Sequence, residues 1–217
     1  VPVIFAAAHP VYDPPPLDAP PVREKLGIGP DAPLVAMLAR FQHVKGHDIF
    51  QAMIPHVHAQ VPEARFAVAG ENVFGVRKDE RYKLAILTRA REDPVLSRTL
   101  AYLGFYEDPR PVVAAADVVV CPSRFESLGM VHLEAMAMAR PIVSMNNGGP
   151  AETILDGETG FLVPPEDPAA LADRVVRLLR DPALRAQMGQ AGRRHVLANF
   201  TADRFAARFA QLIGDLV

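Results

Sequence analysis

The sequence predicts an α/β protein, a doubly wound parallel sheet of the Rossmann-like kind. Three observations predict it. From residue 34 onward, short apolar runs alternate with longer amphipathic stretches, the pattern of repeated strand–helix–strand units. The 217 residues are 50% hydrophobic and 22% charged, enough for one globular domain with an ordinary core. Asp167-Pro168 and Asp181-Pro182 each set a capping residue before a first-turn proline, which marks two helices in the last third of the chain.

Taken in order, residues 1–21 read as a strand and a proline-rich connector, since the segment from His9 to Pro21 holds too many prolines for anything but extended chain. Strands are expected at 34–39, 65–70, 99–103, 117–121 and 141–145. Helices are expected at 46–60, 78–92, 110–115 and 129–138, with Pro55 a kink or break in the first. A short strand at 161–163 follows, then helices at 168–180, 182–199 and 202–217. Residues 22–199 form the domain and 200–217 a C-terminal helix whose Phe205, Phe209, Leu212, Ile213 and Leu216 recur at helical spacing. Ligands of such sheets sit beyond the carboxyl ends of the strands, so the loops after Ala39, Gly70, Leu103, Cys121 and Met145 should line the site.

Several function classes drop out. A net charge of -2 with the signs interspersed offers no footprint for nucleic acid. No apolar run approaches the roughly 20 residues of a membrane span. The single cysteine, Cys121, rules out a disulfide framework and suits a reducing compartment, so a cytoplasmic setting is expected. The start Val1-Pro2-Val3 has neither a methionine nor a signal-peptide pattern and falls within a strand, so the chain reads as a piece of a longer protein.

The chemistry concentrates between Arg124 and Ala137. Glu126 stands in a loop, Gly129 at a helix start after Leu128, and Glu134 within an otherwise apolar helix. A glycine there lets a phosphate approach the free N–H groups and partial positive charge of a helix N-terminus. On a regular helix the two glutamates would stand roughly 12 Å apart. Paired glycosidase carboxylates stand about 5 to 9.5 Å apart. Glu126 and Glu134 therefore suit opposite ends of one long ligand better than an acid/base pair. A nucleotide diphosphate-sugar fits, with its sugar at Glu126 and its ribose diol at Glu134.

A second cluster, Arg40, Lys45 and Gly46, follows the first sheet strand, where a forked guanidinium and an ammonium suit a diphosphate. His43 and His47 lie four apart, but no carboxylate or cysteine sits at ligand spacing, so no metal site is expected. The turn at Asn146–Pro150 carries Gly148 and Gly149 as residues needing positive φ, with Glu152 just beyond.

Together these pieces resemble the donor-binding domain of retaining GT-B glycosyltransferases of glycosyltransferase family 4, the glycosyl transferases group 1. The likeness runs through Ala39-Arg40, Lys45-Gly46, Val68-Ala69-Gly70, Tyr102-Leu103-Gly104, Pro122-Ser123, the seven-residue spacing of Glu126 and Glu134, Gly148-Gly149-Pro150, Glu152, the stretch from Asp156 to Phe161, and Asn199-Phe200-Thr201. It departs at Ala39, where the family usually has glycine. The resemblance implies the C-terminal half of a GT-B fold in which Arg40, Lys45 and the N–H groups of Gly129 and Met130, beside Leu128, hold the diphosphate. It implies Glu134 on the ribose, Glu126 by the transferred sugar as the catalytic group, Phe105 or Tyr106 near the base, and Glu152 closing the phosphate site. The implied reaction is sugar transfer to an acceptor hydroxyl with retention, without a metal or other cofactor. The donor is expected to be a UDP-sugar on family frequency, with GDP and ADP as alternatives. The family's N-terminal acceptor domain is the implied partner, and without it slow or no turnover is expected. Alternative functions are a GT-B sugar-nucleotide epimerase and a non-catalytic nucleotide-sugar binding module. Retention of Glu126 argues for catalysis, and the cationic first loop argues against a flavodoxin-like receiver.

Overall fold

In the computed structural model, residues 20–72 and 76–214 are described. Six parallel strands, β1 (Leu34–Leu38), β2 (Arg65–Ala69), β3 (Leu100–Gly104), β4 (Val118–Cys121), β5 (Ile142–Met145) and β6 (Gly160–Val163), form one sheet in the order β3-β2-β1-β4-β5-β6. The order reverses between β1 and β4, the switch point where loops diverge and leave a crevice.

Strand periodicity divides the core in two. Val35, Met37, Phe66, Val68, Val118 and Val120 face a layer containing α2 (His47–His58), α3 (Arg77–Glu92) and α8 (Pro168–Arg180). Leu34, Ala36, Ala67, Ala69, Val119 and Cys121 face the opposite layer, made by α1 (Pro20–Lys25), α5 (Arg110–Ala115), α6 (Met130–Ala137) and α9 (Pro182–Asn199). Short helices α4 (Leu96–Thr99) and α7 (Pro150–Thr153) complete the connections, and α10 (Ala202–Gly214) ends the described chain with Phe205, Phe209 and Ile213 exposed.

Most predicted elements match within a residue or two. Pro55 does not break α2, which runs on to His58. Ile49, Phe50, Met53, Ile54 and Val57 are buried on one face while Pro55 is exposed on the other, so packing outweighs the one hydrogen bond that the proline removes. Pro20 and Pro21 are not extended connector either. They open α1, where a first-turn proline loses no helical bond. The rest of the expected connector, the strand before it and residues 215–217 lie outside the described residues. Asp167 and Asp181 cap α8 and α9 as expected, accepting from the Ala170 and Leu184 amides.

Candidate functional site

The loops after β1 and β4 meet at the switch point. A single 3-10 turn, His43–Lys45, leads into α2, and the Arg124 amide donates to the Val44 carbonyl at 2.7 Å. Gly46 sits so close to the β4 loop that an added Cβ would lie 2.0 Å from the Pro122 carbonyl oxygen, and its left-handed φ of 71 is one that side chains resist. Arg124 fastens the same junction. Its guanidinium forks onto Asp48 at 2.9 and 2.7 Å and reaches Glu166, while the Tyr82 hydroxyl donates to Asp48 at 2.8 Å. Burial alone would raise Asp48, but these donors outweigh it and hold its carboxyl at about 2.

The loop after β5 supports the β4 loop from behind. Glu126 bridges to Gly148, and the Gly149 amide donates to the Glu126 carbonyl at 2.8 Å. Only one of the two glycines has positive φ, Gly148 at 87. Gly149 is required for a different reason, close approach: a Cβ there would stand 2.3 Å from the Ser127 oxygen and 2.5 Å from Leu128 Cα. The expectation that positive φ explains both is therefore corrected.

Two cavities open on this carboxyl edge. The first, of about 280 Å³, is lined by Lys45, Ser123, Glu126, Leu128, Gly129 and Met130 among others. Gly129 is the N-cap of α6, so the first amides of that helix, which have no intrahelical acceptor, stand at the cavity wall. Lys45 Nζ and Glu126 Oε2 are 2.6 Å apart, both largely buried, and Ser123 Oγ donates to the same Glu126 oxygen at 3.4 Å. The cation and the carboxylate satisfy each other.

The second cavity, of about 510 Å³, is lined by Arg40, Gly70, Glu71, Asn72, Phe105 and Tyr106 among others. Leu38 and Ala39 wall both cavities. Ala39 has no positive φ, so alanine fits there without strain. Phe105 is 73% exposed, a large aromatic face left open at a cavity.

The structure thus brings Lys45, Glu126, Leu128, Gly129 and Met130 together in one cavity and Arg40, Phe105 and Tyr106 in its neighbour. Glu134, half-buried one turn along α6 from Met130, lines neither, and Glu152 is exposed on α7 and lines neither. Sequence reasoning missed Glu71 and Asn72, although the loop after Gly70 was among those expected at the site. It also missed the network of Arg124, Asp48 and Tyr82.

His47 and His132 serve packing. His47 is buried, stacked on Phe41 at 4.4 Å, and burial holds its imidazole down at about 4. His132 is fully buried, with Nε2 3.2 Å from Ser144 Oγ. Cys121 is buried beneath the first cavity, 3.4 Å from Ser123 Oγ. Burial pushes its thiol up, but His132 and Ser123 more than offset that. Among the described residues, no group of three or more His, Cys, Asp or Glu is placed to hold a metal ion, and no helix is long and apolar enough to cross a membrane.

Comparison with known proteins agrees with this geometry. The family model for glycosyl transferases group 1 matches residues 18–195. A GDP-mannose-dependent alpha-(1-6)-phosphatidylinositol monomannoside mannosyltransferase of Mycolicibacterium smegmatis is 34% identical over 201 residues, 88% of this chain and 50% of the relative. The sucrose-phosphate synthase of Thermosynechococcus elongatus superposes with a TM-score of 0.83 at 32% identity, covering 98% of this chain and 52% of that one. The C-terminal domain of a glycosyl transferase group 1 family protein (LpcC) from Francisella tularensis superposes with a TM-score of 0.76 at 26% identity, covering 88% of this chain and 97% of that one. The chain spans about half the length of the curated relatives it matches. A Rossmann-like sheet of the GT-B type, a cation and a carboxylate at its switch point, and these matches lead to one conclusion: the chain belongs to the glycosyl transferases group 1 family.

Proposed function

We propose that this chain is the donor-binding half of a retaining glycosyltransferase, which moves a sugar from a nucleotide diphosphate-sugar to an acceptor hydroxyl. The observation that carries the reading is the pair of contiguous cavities at the switch point, one with Lys45, Glu126 and the start of α6, the other with aromatic rings. A diphosphate suits the first, because the α6 amides and the Lys45 ammonium supply donors and positive charge without rearranging the fold. Its negative charge competes with Glu126 for Lys45, so donor entry releases the Glu126 carboxylate toward the transferred sugar. Arg40 reaches the diphosphate from the adjoining cavity. Glu134, on α6 and half-buried, takes the ribose hydroxyls. Phe105 or Tyr106 lies against the base, and the Glu152 turn closes the phosphate end.

In this reading the acceptor binds to a domain outside these residues, so the chain alone binds donor and turns over slowly or not at all. Family frequency favours UDP as the nucleotide, whereas the mycobacterial relative's name specifies GDP-mannose. The cytoplasm, where thiols stay reduced, suits the lone buried Cys121.

Calorimetric titration with UDP, GDP and ADP tests the proposal, with a double variant carrying Arg40→Ala and Lys45→Ala as control. One nucleotide should bind, and the double variant should weaken it at least about tenfold, the loss expected for charge-assisted hydrogen bonds. Binding that survives intact in the folded double variant would overturn the assignment. Retention has its own check: an inverted anomeric centre in the product of the full protein rules it out.

A further inference from the structure

We propose that the second cavity is a guanine site, in which the Glu71 carboxylate reads the base and selects a guanosine diphosphate-sugar. This rests on the donor reading above. It starts from Glu71, among the described residues the one carboxylate lining a cavity that otherwise offers aromatic and aliphatic side chains, backbone, an amide and the Arg40 guanidinium.

Three features prepare Glu71 for that task. It follows Gly70 directly at the end of β2, so its position is set by the sheet and not by a long loop. The contacts it receives both fall on Oε1, from the Lys83 ammonium and, at 2.9 Å, from the Asn72 amide. Among the described residues no partner reaches Oε2. The Lys83 bond is also the main reason that the carboxyl stays below its usual range, so Glu71 is an ionised acceptor at neutral pH. A second anchor lies next to it: with its amide turned to satisfy both neighbours, Asn72 donates to the Phe41 carbonyl and accepts from the Glu80 amide.

An ionised carboxylate distinguishes the three bases by their edges. Guanine presents adjacent donors, N1–H and the N2 amine, which converge on one point, and Oε2 has two lone pairs to accept them. Uracil presents a single N3–H flanked by two carbonyl oxygens, which repel it. Adenine pairs its N6 amine with the unprotonated N1, again an acceptor facing an acceptor. The exposed ring of Phe105 offers a stacking face to any base, so stacking contributes affinity while Glu71 contributes the choice.

The test compares GDP, inosine diphosphate, UDP and ADP by calorimetry on the wild-type chain and on Glu71→Gln, with thermal unfolding confirming that the variant is folded. The wild type should prefer GDP to UDP and ADP by at least about tenfold, and inosine diphosphate, which lacks the N2 amine, should bind several-fold more weakly than GDP. Glu71→Gln should weaken GDP by about tenfold, leave UDP and ADP within about twofold, and erase the difference between GDP and inosine diphosphate. Equal weakening of all four nucleotides means that Glu71 only holds the loop, and overturns the inference. So does tight binding of UDP or ADP to the wild type, which leaves the donor reading standing. Binding of none of the four overturns both.

Discussion

At the amino-terminal edge of the sheet, arginines are engaged by the protein's own carbonyls and carboxylates. Arg23 donates to the Ala115 carbonyl at 3.1 and 2.8 Å, to that of Ala32 at 2.8 Å, and to Asp117 at 3.0 Å. Arg185 takes the Leu178 carbonyl at 3.0 Å, and Arg140 that of Ala114 at 2.6 Å. Each guanidinium there ties off carbonyls at the end of a helix, which the helix itself leaves unpaired. At the carboxyl edge Arg40 is exposed at a cavity, Lys45 pairs with Glu126 at a cavity wall, and the first amides of α6 stand at the same wall. The same chemical groups are structural where they meet carbonyls and available where they meet space.

The contrast breaks most visibly at Asp117, which accepts from Arg23, Arg185 and the Leu34 amide. Asp117→Ala should cost about 3 kcal/mol in urea unfolding, because two partly buried cations lose their counter-charge. Nucleotide affinity should hold within about twofold, since the site is on the other edge. A parallel loss of binding would mean that the two edges are coupled.

His47 sharpens the comparison through pH. Its imidazole ordinarily titrates at 6.5 but is held at about 4 in the fold. Between those values the unfolded chain binds a proton that the folded chain refuses, so stability is full above 6.5 and falls as the pH drops toward 4. The loss approaches about 3 kcal/mol. His47→Phe should flatten that limb of the curve, while Asp48, titrating from 3.8 unfolded to about 2 folded, sustains a separate loss at lower pH. An unchanged slope in the variant removes His47 from the account.

The smallest stability effect is expected where the functional effect is large. Lys45→Ala should cost about 1 to 2 kcal/mol, less than Asp117→Ala, because Glu126 loses its counter-charge but keeps the Ser123 donor and lines a cavity that water can enter. It should still weaken the bound nucleotide. A destabilisation matching that of Asp117→Ala would place Lys45 among the structural cations.

The sheet was legible because its strands are uninterrupted apolar runs, and Asp167 and Asp181 announced their helices through local capping chemistry. Pro55 and Pro20 misled for different reasons: at Pro55 a buried helix face overrides local preference, whereas Pro20 opens a helix, where a proline costs no hydrogen bond. The site was legible as a set of loops, since strand ends dictate it. Its division was not, because Arg40 and Lys45 are five positions apart in sequence yet line different cavities. Nor did sequence mark Glu71, whose meaning depends on Phe105 and Tyr106, which arrive from β3.

The wall shared by the two cavities, Leu38 and Ala39, has a consequence for how ligands of different length compete. A molecule that fills both is a bivalent ligand whose second head binds at an effective concentration set by its own connecting atoms. A nucleoside or a free sugar engages one cavity and gains nothing from the other. Cells hold many such fragments, and under the proposed donor reading this arrangement keeps them from displacing the intact nucleotide-sugar.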